Sequence, residues 1–388
     1  MAQSGSHSRH IHRPSTAPLR IGIVFDRVED YEDVDGPPDR FAEFEPESTI
    51  LAMEEAIRIS GHTPVRIGSP HRLLDSGPHV DLVWNIGEGY GSRNREAWAP
   101  VLCEIKGIPV LGSDAFALTV SLDKVLTKQI ARHMGIPTSD WQVVPFSSHA
   151  SISNSGTQHP SEPLSDFPSG KPSVPEPLLS FPLFLKPRYE GTSKGITEKS
   201  VVHSPVEFRN QCHHLLKTYR QDVMVEPFLN GAELTCAMAG HPLKAFPILE
   251  RGLHSSGIGS HAVDKTDHLQ SLTRKSTGSQ STSGSQSAPV RDASKPDSAI
   301  HVTGAITPSL EAEITDWSQR LCEALGIHDF VRMDYKLTAD GKPMFLEANP
   351  LPTFGIDSTF AILAEMEGKP YPEFLSAILR AAIRRLNL

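Results

Sequence analysis

One hairpin near the C-terminus constrains this chain more than any other segment. Val331-Arg-Met-Asp-Tyr-Lys-Leu337 leads through Thr-Ala-Asp-Gly into Lys342-Pro-Met-Phe-Leu-Glu-Ala-Asn349, and Asp-Gly between two alternating runs is a strong turn signal. With Asp340-Gly341 as the turn, Asp334 stands opposite Glu347 and Arg332 opposite Asn349, all on one face. Two opposed carboxylates repel unless a cation lies between them. Asp, Glu and Asn supply hard oxygen ligands, so magnesium (or manganese) is the natural ion, completing its shell with water and phosphate oxygens. Taken alone, the same residues read equally well as the solvent face of a half-exposed antiparallel hairpin.

Three further segments carry chemistry. Phe184-Leu-Lys186-Pro187 is a short apolar strand ending in a lysine, followed by Arg-Tyr-Glu190-Gly191-Thr192-Ser193-Lys-Gly195. Glycines flanking Thr and Ser make a donor-rich loop able to cover phosphate oxygens with backbone N–H groups, although such loops are also plain turns. Leu122-Asp-Lys124 heads a helical run toward Met134, and Lys124 is either a surface lysine or a second phosphate-facing cation. Met224-Val-Glu226-Pro-Phe-Leu-Asn-Gly-Ala-Glu233-Leu-Thr reads as strand, turn, strand, with two acids that could accept from an adenine amine and a ribose. No phosphate loop of the Gly-x4-Gly-Lys-Ser/Thr type is present, and no Gly-x-Gly-x-x-Gly follows the first strand, which argues against a dinucleotide enzyme.

Upstream, the apolar run Leu19–Phe25 predicts a strand, Ile50, Met53 and Ile57 a helix stopped by Gly61, and Val80–Trp84 a strand. Trp98–Ile105 predicts a helix and Ile108–Leu111 a strand, so residues 19–112 alternate as a parallel α/β module. Residues 1–18 predict a polar disordered tail. Ser147–Ser180 is dense in Ser and Pro, and the stretch around 268–301 is Ser/Thr/Gln-rich with no aromatic residue, so both predict disordered inserts within folded units. The domain expectation is therefore 19–112, 113–225 around the first insert, and 226–388 around the second.

Composition narrows the function classes. A net charge of −9 gives no basic face for nucleic acid. No segment approaches the roughly 20 apolar residues of a membrane span, and the N-terminus lacks a secretory core, so the default compartment is cytoplasmic. Cys103, Cys212, Cys236 and Cys322 are too scattered for a metal site or a disulfide framework and predict buried free thiols.

Read together and in order, these motifs resemble the D-alanine:D-alanine ligase family of the ATP-grasp superfamily. The resemblance rests on Gly112-Ser-Asp with Leu122-Asp-Lys124, Leu185-Lys-Pro with Glu-Gly-Thr-Ser-Lys-Gly, Val225-Glu226 with Glu233, and Arg332-x-Asp334 with Glu347-x-Asn349. It implies an α/β fold: a Rossmann-like N-terminal domain before an ATP-grasp module. It also implies an ATP-dependent ligase that joins a carboxylate to an amino acid through an acyl phosphate. Lys124, Lys186 and Lys265 would hold ATP phosphates beneath the loop Glu190, Gly191, Thr192 and Ser193, with Glu226 and Glu233 reading adenine and ribose. Asp334, Glu347 and Asn349 would be the magnesium ligands, and Arg332, with backbone N–H groups near Thr353, would stabilise the oxyanion. Ser193 and Ser358 would complete the catalytic set, Ser358 meeting the acceptor carboxylate. A homodimer is the family's habit.

The substrate side departs from that pattern. Where the family has a His-Gly pair after the second strand, this chain has Asn85-Ile-Gly-Glu-Gly-Tyr-Gly91 and then Arg93-Asn-Arg-Glu96. The N-terminal glutamate that grips the first amino group has Glu45 or Glu47 as its nearest counterparts, no tyrosine follows Lys265, and Thr353 replaces a glycine. With these departures, a ligase adding an amino acid to another small metabolite, as mycosporine-type ligases do, fits at least as well as a cell-wall enzyme. The departures also keep a second reading open, a non-catalytic ATP-binding or scaffold protein derived from the same fold.

Overall fold

The computed structural model describes residues 17–31, 36–75, 79–146, 174–251, 253, 256–258, 300–301 and 306–388. Arg20–Val24 (β1) is buried on both faces, as an interior strand of a parallel sheet must be. It lies between Thr63–Gly68 (β2) and Leu82–Asn85 (β3), with Val110–Leu111 (β4) at the far edge, all parallel in the order β2-β1-β3-β4. Glu47–Ile59 (α1), Pro70–Leu74 (α2) and Trp98–Lys106 (α3) make the connections. The buried face of α1 is the expected Ile50, Met53 and Ile57. Strand β3 starts later than the Val80 read from sequence, and β2 had no counterpart in that reading.

Asp114 and Asp123 cap the next two helices, Ala115–Leu122 (α4) and Lys124–His133 (α5), by accepting from N–H groups of their first turns. An antiparallel sheet follows, made of Gln142–Val144 (β5), Leu183–Pro187 (β6), Val201–Val202 (β7) and Val223–Pro227 (β8) in the order β5-β8-β6-β7. Pro205–Tyr219 (α6) packs Phe208, Cys212, Leu215 and Leu216 into the core behind it. The tail of the first expected insert belongs to this unit: Val174 and Leu179 pack on the same core, and Leu178 N–H donates to Gln142 Oε1 at 2.8 Å. Residues 147–173 and most of 268–301 lie outside the described residues.

The third sheet runs β12-β11-β9-β13-β14, built from Glu233–Ala239 (β9), Leu249–Arg251 (β11), Ile300–His301 (β12), Phe330–Leu337 (β13) and Pro343–Asn349 (β14), with Lys244–Ala245 (β10) also on β9. The strand, turn, strand reading of 224–235 holds locally, but its two strands do not pair with each other. β8 and β9 belong to different sheets, and the chain between them crosses from one to the other, anchored where Gly231 N–H donates to Leu337 O at 3.2 Å.

The hairpin pairs Asp334 with Glu347 and Arg332 with Asn349, as the sequence predicts. The turn differs. Leu337 faces Pro343, and the loop closes through Gly341 N–H on Thr338 O and Thr338 N–H on Lys342 O, both 2.9 Å. That is a three-residue loop with Gly341 at φ +81°, a left-handed position that costs an L side chain energy. The register then shifts between Asp334 and Tyr335, leaving Leu346 without a cross-strand partner. The two single-residue departures cancel, and the acids still meet.

Pro308–Leu325 (α7) covers the third sheet, whereas Thr359–Met366 (α8) and Tyr371–Leu386 (α9) return to the first. Phe354, Phe360, Leu375 and Leu379 share one core with Ile21, Ile23 and Trp84, and Ser376 Oγ lies 2.8 Å from Ser60 Oγ at the end of α1. Arg385 grips buried Asp329 with Nε at 2.8 Å and Nη2 at 2.6 Å, while Gly112 N–H donates to the same carboxylate at 2.9 Å. One acid thus fixes the last helix, the end of the first sheet and the start of the hairpin. Among the described residues no helix is long and apolar enough to cross a membrane, and all four cysteines are buried free thiols.

Candidate active site

The three sheets meet around a pocket that receives Lys124 from α5, Gly191 and Thr192 from the loop after β6, Arg332 from β13 and Asn349 from β14. Pro350 to Thr353 line it after the hairpin, and Glu43, Glu88, Glu96 and Ser121 enter from the N-terminal side. Lys124 is positioned by Asp123, which caps its helix and takes the Arg188 guanidinium through Nε at 2.8 Å and Nη2 at 2.7 Å. That bidentate grip ties α5 to the end of β6.

On the hairpin face, Asp334 is almost fully buried. Its Oδ1 accepts from Thr235 Oγ1 at 2.8 Å, and its Oδ2 from Arg332 Nε at 3.0 Å and Asn349 Nδ2 at 3.1 Å. Glu347 Oε2 meets Lys124 Nζ at 3.0 Å, and despite burial the lysines 124 and 186 with Arg332 hold its carboxyl well below the ordinary range. Glu226 Oε2 meets Lys186 Nζ at 2.8 Å, and its Oε1 contacts Lys128 and accepts from Ser139 Oγ at 2.7 Å. Burial pushes this carboxyl up, and the two lysines more than reverse it, to about 2. Glu233 stands 3.7 Å from Lys336 Nζ and 3.8 Å from Arg251 Nε, and burial raises it. Arg251 also donates to Thr235 Oγ1 at 2.9 Å and comes within 3.9 Å of Asp334.

The loop after β6 holds Thr192 and Ser193 in consecutive left-handed conformations, at φ +43° and +54°. It is pinned from the N-terminal side. Gly191 N–H donates to Glu43 Oε1 at 2.8 Å, Gly195 N–H to Asp39 Oδ2 at 2.8 Å, and Arg95 Nη1 to Tyr189 O at 2.8 Å. A Cβ at Gly191 would fall 2.5 Å from the Glu43 carboxylate, so only glycine admits this approach. Glu43 meets Arg95 at 2.8 Å and Lys194 at 2.5 Å; burial pushes it up, and these cations bring it down to about 2. Lys194 also pairs with Glu190.

The structure therefore brings Lys124, Gly191, Thr192, Arg332 and Asn349 to one pocket, with Asp334 and Glu347 in contact with its cations. Glu190, Lys186, Glu226 and Glu233 lie in the surrounding charge network. Ser193 is half-buried in the loop. Ser358 is buried at the N-cap of α8, outside the pocket lining, and Lys265 lies outside the described residues. Of the acids between residues 43 and 47, it is Glu43 that lines the pocket. Glu45 instead accepts from Phe354 N–H at 2.6 Å and Thr49 Oγ1 at 2.9 Å, and Glu47 is an exposed partner of Arg66 at 2.7 Å. Sequence reasoning also passed over Lys128, Arg251, Arg95 and Lys194. Glu88 and Glu96 fall in the very segment that departs from the family, which was their signal.

The family model for the D-ala D-ala ligase C-terminus matches residues 130–258 and 291–380, more than half of the chain. A D-alanine–D-alanine ligase of Aquifex aeolicus is 25% identical over 84% of this chain and 92% of its own length. An uncharacterized protein, y4sG, of Sinorhizobium fredii is 25% identical over 78% of this chain and 75% of its own. Among solved structures, the Bacillus anthracis D-alanine–D-alanine ligase complexed with ATP superimposes with a TM-score of 0.61 at 20% identity, over 95% of this chain and 98% of that one. The Enterococcus faecalis VanG D-Ala:D-Ser ligase gives 0.60 at 18% identity, over 94% and 100%. The chain belongs to the D-alanine–D-alanine ligase family and is an ATP-dependent, carbon–nitrogen bond-forming ligase of the ATP-grasp fold.

Proposed function

We propose that this pocket joins the carboxylate of one small molecule to the amine of an amino acid, with ATP as the phosphoryl donor and magnesium held by Asp334, Glu347 and Asn349. The observation that carries the reading is the convergence of Lys124 on Glu347 at 3.0 Å and Arg332 on Asp334 at 3.0 Å, on one hairpin face beside a loop that turns through left-handed Thr192 and Ser193. The donor set of two carboxylates and an amide is all hard oxygen, which suits magnesium. When bound, the ion would neutralise charge on the transferring phosphoryl oxygens.

The remaining roles belong to the chain. The substrate carboxylate attacks the γ-phosphorus, the bond to the β,γ-bridging oxygen breaks, and ADP leaves with that electron pair. Lys124 and Lys186 balance the phosphate charge, and Glu226, with both oxygens engaged, acts on the nucleotide through Lys186. Glu233 is the acid left to meet the ribose. The amine then attacks the acyl phosphate carbon, phosphate leaves, and the amine proton is lost. Arg332 steadies the oxyanion, whereas the Phe354 and Gly355 N–H groups after Thr353 are engaged within the protein by Glu45 and Thr353. The loop Glu190 to Ser193 covers the phosphates and excludes water, which would otherwise hydrolyse the activated acid.

The test is ADP release over pairs of carboxylates and D- or L-amino acids with and without magnesium. The expected result is release that requires metal, acid and amine together. Release unaffected by adding any amine would overturn the proposal.

A further inference from the structure

The pocket contains more negative charge than its own cations answer. Glu43, Glu88 and Glu96 each bring a carboxylate oxygen within 4.8 Å of the others'. Glu43 is satisfied by Arg95, Lys194 and Gly191 N–H. Lys124 and Arg332 are held by Glu347 and Asp334. That leaves Glu96 with one long ion pair, 3.8 Å to Arg95, and the more distant pull of Lys124 and Lys194, and Glu88 with no ion pair among the described residues and only the distant pull of Arg95 and Lys194. Both are at least nine-tenths buried, and burying uncompensated carboxylates side by side is costly. Burial and mutual repulsion accordingly raise the Glu88 carboxyl well above the ordinary range, and burial raises Glu96 to about 7.

A second, independent feature points to a ligand. Ser121 Oγ, on the helix packed against the Arg95–Ala97 turn, is buried, lines the same pocket and has no hydrogen-bond partner among the described residues. An orphaned buried hydroxyl beside unpaired carboxylates is what a hydrogen-bonding cation would satisfy. A divalent metal fits less well, because Arg95 and Lys194 already sit against Glu43 and would repel it.

We propose that Glu88 and Glu96, with Ser121, form a subsite for a cationic nitrogen on the side chain of the carboxylate substrate, so that this substrate is a basic amino acid of the diamino or guanidino class. The proposal rests on the ligase reading and names the substrate class of its pocket. An α-ammonium group answers one of the two unpaired carboxylates, and the second calls for a second positive group. Arg332, whose Nη groups are not those engaged by Asp334, lies in the same pocket and suits the substrate's carboxylate end.

Titration calorimetry of the full chain, with magnesium and a non-hydrolysable ATP analogue, compares propionate, alanine and 2,3-diaminopropionate in both enantiomers. Diaminopropionate is expected to bind at least ~10-fold tighter than alanine, which corresponds to ~1.4 kcal/mol. Glu88→Gln and Glu96→Gln, which keep the side-chain shape, are each expected to shrink that preference. Equal affinity for alanine and diaminopropionate, or a preference that survives the double substitution, overturns the subsite. So does stoichiometric binding of calcium alone that Glu88→Gln abolishes, which would mark a metal site. ADP release measured in parallel separates the two claims. Preference without release with any amine defeats the ligase reading and keeps the subsite; release at equal half-saturation with both acids does the reverse.

Discussion

Two sets of buried acids sit around the same pocket, and their surroundings treat them in opposite ways. Glu226, Asp334 and Glu347 each touch a lysine or arginine at 3.0 Å or less. Two of them are held far below the ordinary carboxylate range. Glu88 and Glu96, from the N-terminal side, are raised instead. Glu226 and Glu347 are held in the charged form by the protein's own lysines and Arg332. The second set is short of cations, so its charge is completed by a proton or by the ligand. One set is answered by the protein's own ion pairs, and in the subsite proposed above the other is answered by what binds there.

The strongest challenge to the first half of this contrast is Lys128→Met. Lys128 is fully buried and shares Glu226 with Lys186. Removing one partner of a buried pair typically costs ~3–5 kcal/mol, which urea unfolding would measure. The pH dependence has a defined sign. Glu226 falls from an ordinary 4.5 to about 2 on folding, so its contribution is present above 4.5 and lost as pH drops toward 2. The substitution should flatten that acid limb; an unchanged limb would mean the lysines do not hold Glu226.

Arg332→Met comes next. Its loss should reduce the ADP release rate by ~10²–10³-fold, the usual cost of one oxyanion donor, while thermal melting stays cooperative. Steady-state kinetics that move only the half-saturation for substrate would assign Arg332 to ground-state binding instead.

The sequence displayed these two sets unequally. Asp334, Glu347, Arg332 and Asn349 were legible because a strand has period two and the Asp-Gly turn fixes a register. Their pairing came out as expected although the loop is one residue longer and Leu346 bulges, because the shifts compensate. Lys128 was not legible, since a lysine on an amphipathic helix reads as surface until a partner 98 positions away is known to face it. Glu43 was missed in favour of Glu45 and Glu47 because which acid of an irregular segment faces inward is set by tertiary contacts, here with Arg95, Lys194 and Gly191. The exchange of sheets between β8 and β9 left no mark in a local pattern that a hairpin would also produce.

Glu96→Gln sharpens the other half. Folding raises this carboxyl from 4.5 to about 7, so the stability it contributes is complete below 4.5 and is lost as pH rises through 7. Glutamine stands permanently for the neutral acid. The variant should therefore melt close to the parent at pH 4.5 and several degrees higher at pH 8, a shift of ~4 °C or less per kcal/mol for a chain this long. A pH-independent difference would put the proton elsewhere, with Glu88→Gln the next variant to melt.

The smallest effect belongs to the hairpin tip. Gly341 sits at φ +81° with nothing within 4 Å of where a Cβ would stand, so Gly341→Ala adds backbone strain and no clash. The expected cost is ~1–2 kcal/mol in urea unfolding. Asp334 and Glu347 lie beyond the bulge and are fixed by Thr235, Arg332 and Lys124 rather than by the loop. The tip should therefore lose stability with little change in ADP release rate. A rate that fell along with stability would show that the register of the opposed acids depends on the turn, and that the charge pairs around them are not enough to hold it.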